Sequence, residues 1–339
     1  MGVSLRQVAQ EAGVSESRAS IVLNDRLDIS VSAETRRRVK AAAERLDYRP
    51  NPIARALRTR KSGMVGLIIP NATIPFYNEI IQGIAIAAAQ KHYSLVLACT
   101  EFEPRSELHY LTDMEQRGIE GIILVALDHG DAAAVQEVAR RLPMVFVDSY
   151  LADTDISHVV TDNRRGAQLA TEYLLGRGCE RIAFMGSRRV PVLEERFHGF
   201  CETLGQHGVV FKPRRYLQRG EAEIARLVQK ERVDGIFVSS LHGVVEVLRP
   251  LWQLGKLVPR DVVITGFDRP FFPADSAEAL QVMGIVREPL PHVEQPRLEM
   301  GRRAAELLFE RLAHPGGEPV RQMLAPCFRE IFAENGAGR

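Results

Sequence analysis

Ser15, Glu16, Ser17 and Arg18 stand together near the start of the run GVSESRASIVLN (13–24), and each of the four can make hydrogen bonds. Arg18 suits a phosphate or a guanine edge, the two serines a phosphate or a base, and Glu16 the N4 amino group of cytosine. Beside them Val14, Ala19, Val22 and Leu23 recur at helical spacing, so the polar row leads a short helix with an apolar inner face. Signatures of enzyme chemistry do not stand out: there is no GxSxG, HExxH, P-loop or GxGxxG, and the nine histidines are scattered without ligand spacing. Cys99, Cys179, Cys201 and Cys327 form no CxxC pair, which points to neither zinc nor a disulfide framework. No catalytic residue, metal or cofactor is expected.

The polar row needs a frame. Ser4 followed by Gln7 is a capping box opening a first helix, with Leu5, Val8, Ala9 and Ala12 on one face. Gly13 interrupts, Ser15 can cap a second helix running to about Asn24, and Ser32 a third whose inner stripe is Val39, Ala42, Ala43 and Leu46. A helix, a glycine turn and a second helix at this spacing form a helix-turn-helix, whose second helix can enter a DNA major groove. Three small helices can equally build an adaptor or a dimer module. YRPNPIARALRTRKSG (48–63) is basic, proline-bounded and about two helical turns long, and reads as a linker. Residues 1–60 carry twelve Lys/Arg against seven Asp/Glu, a net +5, while the rest carries 32 against 36, a net −4. A basic head on a faintly acidic body suggests a polyanion partner for the head alone.

From Met64 the pattern changes. Strand-like runs at Val65–Ile69, Leu95–Ala98, Gly121–Val125, Met144–Val147, Ile182–Met185, Gly235–Val238 and Val262–Thr265 alternate with helical stretches at 76–91, 104–117, 164–176, 194–204 and 297–313. Such alternation predicts parallel sheets of βαβ units. GIEGIILV (118–125) is echoed by RVDGIFVS (232–239), which suggests two similar halves with a ligand cleft at the C-terminal ends of their strands. With 45% hydrophobic and 26% charged residues, no run near 20 apolar residues and no secretory core at the N-terminus, a cytoplasmic globular protein without membrane contact is expected.

SLRQVAQEAGVSESRASIVLN, VSAETRRRV and LDYRPNPIARALRTRKSGMVGLIIP closely resemble the DNA-binding head and hinge of the lactose-repressor (LacI/GalR) family. The resemblance continues through IPNATIPFYNEIIQGI (69–84), DNRRG (162–166), ERFHGF (195–200), TGFD (265–268) and EQP (294–296), so it covers nearly the whole chain. It implies an all-α helix-turn-helix head on an α/β periplasmic-binding-protein-like body of two Rossmann-like parallel-sheet subdomains. The implied domains are a head over 1–47, a hinge over 48–61 and an effector-binding and dimerisation body over 62–339. Within the body, one subdomain spans about 62–161 plus 294–325 and the other about 162–293 plus 326–339. DNA contact is implied for Ser15, Glu16, Ser17, Arg18, Ser20, Ile21, Asn24, Asn51, Ala54, Arg55 and Leu57. Leu57 matches the leucine that wedges into the minor groove when the hinge folds on its operator. Effector contact is implied for Phe76, Tyr77, Asp148, Arg196 and Asp268, with Val190, Val192 and Ser240 at the positions where this chain departs from its relatives.

The departures matter. Ile21 stands where many members have an arginine, so it can offer only an apolar contact, for instance to a thymine methyl. Ser240-Leu241 replaces an Asn-Asp pair, SRRVPVLEE (187–195) is apolar where sugar binders are often polar, and YLQRGEA (216–222) shows no evident walling aromatic. Arg188 and Arg189 either favour an anionic ligand or are simply solvated, and the stretch from TGFD to EQP looks long for the family. A secreted solute-binding protein explains the body and not the head; a regulator explains both. The expected partners are pseudo-palindromic double-stranded operator DNA, a small-molecule effector of the sugar or sugar-derivative class, and a second copy in a homodimer. The C-terminal REIFAENGAGR has no leucine heptads, so no coiled-coil tetramer is expected.

Overall fold

The computed structural model describes residues 3–23, 29–48, 61–127, 131–218, 220–240, 244–270, 284, 286 and 290–330. The chain divides into two compact units, Met1–Gly63 and Met64–Arg339.

In the first unit, α1 (Leu5–Glu11), α2 (Glu16–Leu23) and α3 (Ala33–Arg45) enclose a small core of Val8, Ala9, Ala12, Ala19, Val22, Val39, Ala42 and Ala43. Each helix starts where a side chain satisfies an orphan N–H. Ser4 and Gln7 form the reciprocal capping box, the Arg18 N–H donates to Ser15 Oγ at 3.3 Å, and the Thr35 N–H donates to Ser32 Oγ at 3.2 Å. Between α1 and α2 the chain turns through Gly13 at φ +61, a conformation that a side chain would strain.

The second unit opens with β1 (Met64–Ile69), α4 (Phe76–Gln90), β2 (Ser94–Cys99), α5 (Pro104–Gln116), β3 (Ile122–Leu124), α6 (Ala132–Ala139), β4 (Met144–Val147) and β5 (Ser157–Thr161). It continues with α7 (Asn163–Gly176), β6 (Ile182–Met185), α8 (Pro191–Gln206), β7 (Tyr216–Leu217), α9 (Glu221–Gln229), β8 (Gly235–Val238), α10 (Val245–Gln253), β9 (Val263–Phe267) and β10 (His292–Glu294). It closes with α11 (Arg297–Ala313), β11 (Arg321–Leu324) and β12 (Cys327–Arg329).

Two six-stranded sheets result. The first is ordered β11-β5-β4-β3-β1-β2 and is parallel throughout; the second is ordered β12-β10-β9-β8-β6-β7 and is parallel except where β12 meets β10. Strand for strand the orders are the same, and the two echoing segments of the sequence fall on β3 and β8, the third strand of each half. The central strands β3, β4, β6, β8 and β9 are buried along their whole length, as parallel strands covered on both faces must be. One face of the first sheet packs on α4 and α11, and Phe146 and Ile122 lie with α5 and α6 residues on the other. Helices α4 and α11 cross closely at Gly83 and Gly301: a Cβ on Gly301 would lie 2.2 Å from the Ile80 carbonyl oxygen. The chain passes between the sheets three times, after β5, after β10 and between β11 and β12. Among the described residues no helix is long and apolar enough to cross a membrane.

Candidate functional site

In the head, Ser15, Glu16, Ser17 and Arg18 are all exposed at the N-terminal end of α2. Ser15 Oγ accepts the capping hydrogen bond from the Arg18 N–H, while Glu16 lies 3.9 Å from Arg6 in an exposed pair that salt screens readily. Ser20 is 5% exposed and so belongs to the buried side of α2 rather than to the polar row; Ile21 is half-buried. Asn24, Asn51, Ala54, Arg55 and Leu57 lie outside the described residues.

In the body, β4 and β9 occupy equivalent places in their sheets, and each delivers an aspartate just past its C-terminal end. Asp148 follows β4 at φ +67 and Asp268 follows β9 at φ +68. Both sit in the left-handed region, which aspartate tolerates better than most residues. Between them comes Arg196 from α8, 4% exposed. Its Nε donates to Asn163 Oδ1 at 2.7 Å, its Nη1 donates to the Ser239 carbonyl at 2.6 Å, and its guanidinium lies 3.7 Å over the Phe267 ring. Three fixed contacts on a planar fork leave this cation one orientation.

Electrostatics ties the group together. Burial pushes the Asp148 carboxyl up to about 7, against the pull of Arg196 and with help from Asp268. Burial, then Asp148 and Asp268, raise Tyr77 well above the phenol range, so it stays a neutral hydroxyl. Burial lowers Arg196, and the two aspartates offset part of that. Phe76 and Tyr77 open α4 in an edge-to-face pair with centroids 5.1 Å apart. Tyr77, Asp148, Arg196 and Asp268 therefore converge, and Phe76 stands beside them.

Several residues beyond those expected from the sequence complete this site. Gln295 Nε2 donates to both oxygens of Asp268, at 3.1 and 3.0 Å. Arg297 bonds Glu79 at 2.8 Å and lies 4.0 Å from Asp268. Asn163 and Ser239 hold Arg196 as described. Gln295 falls inside the motif EQP and Asn163 inside DNRRG, so both motifs carried a signal that spacing alone could not turn into a role. Among the described residues, Gln295 Oε1, Arg297 Nε and the Oγ of Ser149, next in the chain to Asp148, are buried polar atoms without a hydrogen-bond partner. Orphaned donors and acceptors such as those of Gln295 and Arg297 beside Asp268 are a demand for a polar ligand or water.

Val190 and Val192 are placed differently from the other candidates. They are buried in a small apolar cluster with Val160, against Tyr150 and Leu193. Apolar neighbours thus accompany the apolar residues at 190 and 192. Ser240 is half-buried directly after the Ser239 carbonyl that holds Arg196; Leu241 and residues 271–283 lie outside the described residues. Arg188 is bound by both oxygens of Glu194, at 2.6 and 2.5 Å, and stacks 4.0 Å over Phe197, so its charge is already matched. Among the described residues no cluster could hold a metal ion.

Comparison with known proteins follows the same division of the chain. Residues 4–51 match the model of bacterial regulatory proteins of the lacI family. Residues 62–223 match that of periplasmic binding proteins and the sugar-binding domain of the same family, and 171–330 a periplasmic-binding-protein-like domain. A ribose operon repressor from Halalkalibacterium halodurans is 30% identical over 315 residues, covering 91% of this chain and 90% of that protein. A solved complex of the transcriptional regulator CelR with cellobiose is 28% identical, with 96% of this chain and 98% of that one covered and a TM-score of 0.68. The Lac repressor dimer bound to operator and an anti-inducer shares the fold, with a TM-score of 0.77 at 21% identity over 97% of this chain and 98% of that one.

Proposed function

The chain belongs to the LacI family of bacterial regulatory proteins, and from that premise we propose how its own residues perform the regulation. It is a DNA-binding transcriptional regulator under the control of a small molecule, not an enzyme. The polar row of α2 reads the major groove: Arg18, Glu16 and Ser17 face base edges, and Ser15 bonds phosphate. Ile21 contributes only apolar contact, so the operator differs from those of relatives with an arginine there. Residues 48–61 form the hinge that folds on DNA, and Leu57 is its minor-groove wedge; so short a helix is marginal in water without a partner. The protein acts as a homodimer, because two heads on a two-fold axis match the half-sites of a pseudo-palindrome.

One observation carries the effector reading. Asp148 arrives from one sheet and Asp268 from the other, with Arg196 held between them. A carboxylate accepts from ligand hydroxyls, a protonated carboxyl also donates, and Tyr77 and Arg196 donate, which suits a polyhydroxylated molecule of the sugar class. Because its anchors come from both sheets, such a ligand binds one arrangement of the two halves better than another. Operator affinity then changes by that difference and no more.

The test is a fluorescence-anisotropy titration of full-length protein on an operator selected from random sequence, repeated with pentoses (ribose first), disaccharides, sugar phosphates and purines. Coupling in such systems is typically about 5–150-fold. A shift of that size with a neutral sugar supports the reading; a shift only with sugar phosphates or purines rejects a plain sugar.

A further inference from the structure

A cavity of about 350 Å³ is lined by none of Tyr77, Asp148, Arg196 or Asp268. It opens over the face of β5 and β11 at the edge of the first sheet. Parallel register sets Arg321 beside His158 and Met323 beside Val160, so these four side chains share that face. Tyr150 stacks on His158, with ring centroids 4.3 Å apart and planes 8° from parallel. The opposite wall comes from the other half: Glu195 of α8, whose Oε1 accepts from the Tyr150 hydroxyl at 3.1 Å.

The charges of this cavity are divided. Arg321 has no ion-pair partner among the described residues, although it is exposed at the cavity mouth. Burial, then the charge of Arg321, holds His158 below the ordinary imidazole range, and Arg321 is the only lysine or arginine of the lining among the described residues. Glu195 spends Oε1 on Tyr150, and Asp153 adds a second carboxylate at the rim. Leu151, Val160 and the thioether of Met323, which is 64% exposed, give the same cavity an apolar part of its lining. A guanidinium, an apolar floor and a carboxylate pair in one small cavity match a molecule carrying both charges on an apolar body.

The geometry points to a second ligand site here for a zwitterionic amino acid with a hydrophobic side chain. Its carboxylate meets the Arg321 fork, its ammonium meets Glu195 and Asp153, and its side chain covers Leu151, Val160 and Met323. Because Glu195 comes from α8 and the other walls from β5, β11 and the segment after β4, an occupant touches both halves. This inference does not rest on what fills the cleft.

Titration calorimetry on the full-length protein tests it with L-leucine, L-methionine and L-phenylalanine. 4-Methylpentanoate serves as the leucine analogue without an ammonium and isoamylamine as the analogue without a carboxylate. At least one amino acid binds saturably with Kd below about 10 mM, and both single-charge analogues bind at least about tenfold more weakly. Arg321→Ala and Glu195→Gln each weaken the amino acid by about tenfold or more while the thermal midpoint holds; the glutamine keeps an acceptor for Tyr150. Absence of saturable binding by all three amino acids overturns the proposal. So does equal binding of 4-methylpentanoate or isoamylamine, or a Kd that neither substitution moves.

Discussion

Asp148→Asn is the substitution whose effect follows most directly from the cleft. Burial raises the carboxyl from 3.8 to about 7, so between those values the folded protein holds a proton that the unfolded chain has released. Stability therefore falls as pH rises through this window, and the full loss is present above about pH 7. Roughly three pH units at about 1.36 kcal/mol each set a ceiling near 4 kcal/mol on the penalty. Asparagine keeps the size and one acceptor and cannot ionise, so the variant escapes the penalty. Urea melts of both proteins at pH 4.5, 5.5, 6.5 and 7.5 read it out, because other titrating groups cancel in the difference. The variant gains on the wild type across the series, by about 2–4 kcal/mol in total, and the difference levels off above neutrality. Parallel stability curves over this range would refute the protonated carboxyl and would mean that Asp148 is held ionised by Arg196, because a carboxyl ionised in both states does not titrate above pH 4.5.

Arg196→Ala removes a guanidinium fixed by Asn163, Ser239 and Phe267; ligand affinity in the cleft falls by about 2–3 kcal/mol while operator affinity in the absence of ligand is kept, as calorimetry and anisotropy would show. Unchanged ligand affinity would place the effector elsewhere. Leu57→Ala loses specific operator affinity by about a few kcal/mol and retains salt-dependent non-specific binding, measured by competition at two ionic strengths; equal loss of both rejects the wedge. Gly301→Val forces a side chain into the Ile80 carbonyl and costs about 3 kcal/mol in a urea melt; a neutral outcome would mean that α4 and α11 separate freely.

Much of the fold could be read because it is written in local signals. Ser4, Ser15 and Ser32 announce the head helices by capping them, and the runs at 144–147, 182–185 and 235–238 are uniformly apolar because both faces of those strands are covered. What escaped lacks such signals. β5 reads Ser-His-Val-Val-Thr and looks like a loop, yet all five residues are buried, with Ser157 Oγ held by Arg311 and by the Val320 N–H. α10 carries Pro250 inside it, which argues locally against a helix, and only its packing in the second sheet's core keeps it. The site divides in the same way. Asp148, Arg196 and Asp268 come from family resemblance, whereas Gln295 and Arg297 acquire a role only when β10 brings them beside Asp268. Val190 and Val192 look like a lost polar wall in the sequence; in space they have Val160 for a neighbour.

The three passages between the sheets bear on how this unit is made. The first sheet has five of its strands by Thr161 but receives α11 and its edge strand β11 only after the chain has built most of the second sheet. The second sheet in turn waits for β12. On a ribosome the chain emerges in order, so until residue 297 leaves the exit tunnel the α4 face at Gly83 has nothing to cross and the apolar floor it shares with α11 stays open. Neither half can be finished while the other is pending. A nascent chain halted at residue 290 would thus carry both aspartates and Arg196 and still lack Gln295, Arg297 and the helix that closes the first half, so ligand could not stabilise it early.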